Sequence, residues 1–99
     1  MIIRTKKTKN YSIIANECLR RPDLSAKAKG VWAYLMTLPD DWKINFHELV
    51  KHFKDGETSL KSALKELKEA GYLVINKVKD EKGRFKEVEW VIQETAQNP

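Results

Sequence analysis

The chain has 99 residues, 41% hydrophobic and 33% charged, enough for one small core and too little for a second domain. Residues 30–36 and 72–75 are its longest apolar runs. They fall far short of the roughly 20 residues that span a bilayer, and the first ten residues have no signal-peptide core, so a cytoplasmic location is expected.

A formal net charge of +5, from 19 Lys and Arg against 14 Asp and Glu, favours a polyanionic partner such as nucleic acid. The single cysteine, Cys18, excludes an internal disulfide framework and a CxxC zinc pair. It is expected as a small apolar filler in a reducing compartment.

Residues 1–10 carry Arg4, Lys6, Lys7 and Lys9 and no acid, the composition of a basic arm. Tyr11-Ser12-Ile13-Ile14-Ala15 has the β-branched and aromatic character of a short strand. After the turn signal Arg21-Pro22-Asp23, Ser25 is the expected N-cap of a helix over 26–38, with Ala28, Val31, Trp32, Leu35 and Leu38 at helical spacing until Pro39.

Pro39-Asp40-Asp41-Trp42 reads as a turn, and Asn45 with Glu48 three residues on forms a capping-box pattern for a second helix. Phe46, Leu49, Val50 and Phe53 supply its apolar face. Asp55-Gly56 interrupts it, Thr58 is the expected N-cap of a third helix, and Gly71 is its expected end. Leu60, Ala63, Leu64 and Leu67 form that helix's core stripe.

From Tyr72 the periodicity changes to two. Strands are expected over 72–78 and 85–92, where Val88, Trp90 and Ile92 alternate with Glu87, Glu89 and Val91. Lys79-Asp80-Glu81-Lys82-Gly83 has hairpin-turn chemistry, with Gly83 at positive φ. Residues 93–99 read as a polar tail or the start of a linker.

The expected fold is therefore α+β, a winged helix-turn-helix over residues 11–92: three helices on one core, a C-terminal β-hairpin wing and a short N-terminal strand. In such a unit the second helix of the pair presents its N-terminal side chains to the major groove of double-stranded DNA. Counting 100° per residue, Thr58, Ser62 and Lys65 lie opposite the leucine stripe. Thr58, Ser59, Lys61, Ser62 and Lys65 are the readout candidates, with acids appearing only later, at Glu66 and Glu69.

On the wing Lys79, Lys82 and Arg84 are candidates for backbone contact, with Lys77 and Lys86 nearby. Asp80, Glu81, Glu87 and Glu89 leave the hairpin only slightly positive. A solvated mixed face on the third helix and a wing that merely keeps the chain soluble are the competing readings.

His47-Glu48-Leu49-Val50-Lys51-His52 is one residue too long for a HExxH zinc motif, and an i, i+5 spacing turns the two rings about 140° apart on a helix. No phosphate-binding glycine loop occurs, and so small a core leaves little room for a water-excluding pocket. Neither a catalytic centre nor a metal or cofactor is expected. Trp32, Trp42 and Trp90 are read as packing groups rather than base-stacking platforms.

The stretches YSIIAN, LSAKAKGVWAYLMTLPDDW, HFKDGETSLKSALKELKEAGYL and KDEKGRF together resemble the N-terminal winged-helix domain of phage and bacterial replication-initiation proteins of the replisome-organiser or DnaD-like type, common in Gram-positive bacteria and their phages. The resemblance covers roughly residues 2–92. It implies DNA binding by the third helix and wing, and a role in origin recognition or in loading replisome proteins.

Larger relatives continue into a polar linker and a C-terminal domain, so the resemblance implies a chain cut before such a domain. Glu57 departs from the pattern, since many relatives carry a basic residue in that turn. A transcriptional regulator, or a protein-interaction or oligomerisation module of the replisome, are the alternative functions. A palindromic target would point to a homodimer.

Overall fold

The computed structural model describes residues 2, 10–39 and 45–96. Most of the basic arm, the Asp40 to Trp42 part of the expected turn and the last three residues of the tail lie outside the described residues. The elements run α1 (Ala26–Met36), α2 (Phe46–Lys51), α3 (Glu57–Ala70), β1 (Leu73–Lys79) and β2 (Phe85–Ile92). Three helices followed by an antiparallel hairpin make an α+β winged helix.

Local chemistry sets most of the boundaries. Ser25 Oγ accepts from the Ala28 N–H at 3.2 Å, and Asn45 Oδ1 accepts from the Glu48 N–H at 2.8 Å, so both helices start where a side-chain oxygen satisfies an otherwise unpaired donor. Gly71 ends α3 in the left-handed conformation, at φ 89° and ψ 15°.

Two helix boundaries differ from the sequence expectation. α1 ends at Met36 rather than 38, because the Thr37 hydroxyl donates to Tyr34 O at 2.6 Å and the chain tightens there into a turn. Gly56, at φ 87°, is the N-cap of α3, and the Leu60 N–H donates to its carbonyl at 3.2 Å. Thr58 is therefore not the cap and stands inside the first turn.

The short N-terminal strand does not form: residues 11–15 pair with no ladder among the described residues. β-propensity alone cannot hold a strand without a partner edge or a surface to cover, and Tyr11 and Ile13 are 64% and 89% exposed.

One core joins all five elements. Val31, Trp32 and Leu35 of α1, Leu49 of α2, Leu60, Ala63, Leu64 and Leu67 of α3, and Tyr72 and Leu73 are buried together, with Cys18 and Leu24 closing the N-terminal side. Burial in this apolar setting pushes the Cys18 thiol up to about 11, as expected of a packing group. Trp32 also packs edge-on against Tyr72 at 6.3 Å, and Trp90 packs on the core's margin.

The chain stays tied down past β2. The Gln93 N–H donates to Tyr72 O, Trp32 Nε1–H to Gln93 O and the Ala96 N–H to Glu17 Oε2, all within 2.9 Å. Gln93 and Ala96, within the stretch expected from sequence to be a polar tail or linker start, are thus bonded to the folded body.

Candidate nucleic-acid interface

α3 enters this site from the tight turn at Gly56, which swings the chain away from the short α2. Its core stripe is set by leucines on one side, and its other side is exposed at Thr58, Lys61, Ser62 and Lys65. These four readout candidates share a face at i, i+3 and i+4 spacing. Ser59 is half-buried beside it and does not belong to the open surface.

Two of the four are engaged. Lys61 Nζ lies 3.0 Å from Glu57 Oε1 and 5.7 Å from the centre of the Phe46 ring of α2, so Glu57 neutralises part of the charge that Lys61 would offer a phosphate. Ser62 Oγ accepts from Lys27 Nζ at 3.1 Å. Lys27 belongs to α1 and was not among the sequence candidates, because only the packing of α1 on α3 brings it there.

Glu66 faces the same way and carries a fixed load. Its carboxylate accepts from the Ser25 N–H at 2.9 Å and from the Ser25 hydroxyl at 2.6 Å. These bonds, the hydroxyl's first, hold its pKa below the ordinary carboxylate value. The acid that sequence placed on the far end of a reading helix is thus the fastening between α1 and α3.

The wing sorts its charges by face. β1 and β2 pair with Leu73 opposite Ile92, Ile75 opposite Trp90 and Lys77 opposite Val88 on one face, and with Val74 opposite Val91, Asn76 opposite Glu89 and Val78 opposite Glu87 on the other. The register then slips, so that Lys79 stands opposite Phe85 and Lys86 is the extra residue. This bulge brings Phe85 onto the face of Lys77, Lys79 and Val88, and leaves Glu87 and Glu89 on the reverse.

One face of the hairpin is therefore lysine and apolar, with Phe85 62%, Val88 43% and Ile75 36% exposed. The other carries the acids.

Asp80 shapes the wing tip. Its Oδ1 accepts from the N–H groups of Lys82 and Arg84, both at 2.9 Å, and its Oδ2 from Arg84 Nε at 3.2 Å. Gly83 at φ 78° closes the three-residue turn. Lys79, Lys82 and Arg84 are all exposed at this end, but Arg84 is partly neutralised by Asp80.

His47 is exposed and the His52 ring lies 5.5 Å from Tyr34, positions that fit surface and packing roles. No helix among the described residues is long and apolar enough to cross a membrane.

A family model described as a helix-turn-helix domain matches residues 23–73, more than half of the chain. That span takes in α1, α2, α3 and the first residue of β1, and stops short of the remainder of the wing. No curated protein and no solved structure matches the chain.

Proposed function

Because the chain belongs to the helix-turn-helix domain family, we propose that it is a sequence-specific double-stranded DNA-binding module that reads the major groove with α3. The observation that carries this reading is the exposed row Thr58, Lys61, Ser62 and Lys65 on the second helix of the motif, hydroxyls and lysines with the leucines turned inward. Hydroxyls serve base edges and lysines serve phosphates or guanine. The lysine and apolar face of the wing then lies along the DNA backbone.

The resemblance to replication-initiation proteins makes origin recognition in a phage or Gram-positive bacterium the proposed setting, with replisome proteins as further partners. A transcriptional regulator would use the same surface. The chain is proposed to act by binding, without catalysis or cofactor.

Selection from random duplexes, followed by titration at several salt concentrations, tests this. The expected result is an enriched motif, a log–log salt slope of about −4 to −7, and weaker binding by Lys61→Ala and Lys65→Ala. Salt-independent binding, or unchanged affinity in the double variant, would overturn the surface assignment.

The exposed Ile75, Phe85 and Val88 favour one second reading, a protein-interaction module. Retention of any DNA only at low salt, with no enriched motif, would support it.

A further inference from the structure

The first turn of α1 is fastened across the middle of α3 by two polar contacts one helical turn apart. Glu66 holds Ser25 through its N–H and hydroxyl, and this fixes where the next residues of α1 fall. Lys27 consequently reaches Ser62, with Nζ 3.1 Å from Oγ, and the Glu66 carboxylate attracts the same ammonium.

The chemistry of that contact is one-directional. An ammonium has three N–H donors and no lone pair, so it can only donate, and the serine oxygen must be the acceptor. The Ser62 proton is left to point elsewhere, and among the described residues no oxygen accepts it. A free serine on a reading helix both donates and accepts, and so tolerates any base edge. The ammonium takes one of the oxygen's two lone pairs, and an N–H approaching the other would meet its positive charge, so donation by the Ser62 hydroxyl is the contact left favoured.

We propose that Lys27 is a positioning residue that biases Ser62 toward donating its hydroxyl proton to DNA, so that α3 favours at this point a group that only accepts. This rests on the DNA-binding reading above and adds to it. The group is a purine N7 or a backbone phosphate oxygen, and an exocyclic amino group is disfavoured there.

The experiment uses a duplex recovered by selection. Each purine in turn is replaced by its 7-deaza analogue, and each phosphate in turn by a methylphosphonate. Every duplex is titrated against the unaltered chain, Ser62→Ala, Lys27→Met and Lys27→Arg.

One position in one of the two series should cost the unaltered chain about three- to tenfold in affinity, the range of a single hydrogen bond. The 7-deaza series identifies N7 and the methylphosphonate series identifies phosphate. That penalty should vanish in Ser62→Ala, shrink in Lys27→Met and persist in Lys27→Arg, whose guanidinium also only donates. Each ratio is taken within one variant, so a general loss of affinity or stability cancels.

An undiminished penalty in Ser62→Ala or Lys27→Met overturns the inference. Binding to an enriched motif with no Ser62-dependent position overturns it alone, whereas absence of DNA binding by the unaltered chain overturns the functional reading as well.

Discussion

Gly30 and Gly56 are the same residue type under opposite constraints. A Cβ at Gly30, inside α1, would meet no atom within 4 Å, so Gly30→Ala should stabilise the fold by about 0.5–1 kcal/mol through reduced unfolded-state entropy. At Gly56 the space is equally open, but φ is 87° and ψ 170°, backbone that other residues avoid. Gly56→Ala should cost about 1–3 kcal/mol. Paired denaturant titrations would separate these opposite signs, and a destabilised Gly30→Ala would contradict the α1 geometry.

Glu66 gives a residue-scale prediction in pH. Its folded pKa lies below the ordinary value because Ser25 bonds to the charged form. Its contribution is therefore present above the unfolded value of about 4.3 and is lost as pH falls through the lower folded one. Glu66→Gln should be less stable than the unaltered chain at pH 7, and the gap should narrow as pH falls below about 4. A gap that stays constant between those conditions would show that the carboxylate charge is not the source.

At the scale of elements the wing invites two substitutions with opposite outcomes. Asp80→Asn keeps an oxygen for the Lys82 and Arg84 N–H groups while releasing Arg84 from its ion pair, so DNA affinity should rise by about twofold. Phe85→Ala should lower it by about fivefold, the value of partial burial of that ring against DNA. Thermal midpoints should move little, since Phe85 is mostly exposed.

The contrast between caps and faces explains what the sequence made legible. Ser25, Asn45, Gly71 and Gly83 act on backbone within a few residues, and their roles were readable from local spacing. Thr58 stands inside the first turn because Gly56, at φ 87°, takes a backbone conformation that starts the helix two residues earlier. Strict alternation along 85–92 would group Phe85 with Glu87 and Glu89, and the slip at Lys86 reverses that grouping. Lys27 and Glu66 act across long separations, 35 and 41 residues, which no local pattern encodes.

At the scale of the whole molecule, part of the formal charge of +5 is already spent in internal pairs such as Lys61 with Glu57 and Arg84 with Asp80. The acid-free run Arg4, Lys6, Lys7 and Lys9 consequently weighs more in long-range attraction than its length suggests. Deleting residues 1–9 should weaken DNA binding and flatten its salt dependence while leaving the selected motif unchanged. A changed motif would show that the arm reads bases.

Glu17 bonds both the Tyr72 hydroxyl, at 2.6 Å, and the N–H of Ala96, 79 residues away, at 2.8 Å. The path from residue 17 to residue 96 is thus a nearly closed ring whose seam is a single carboxylate. Cutting that ring at the exposed wing tip and joining it at the seam would reorder the sequence without reordering the helices. A chain so rearranged should reach the same helices and hairpin, with a thermal midpoint close to that of the original order.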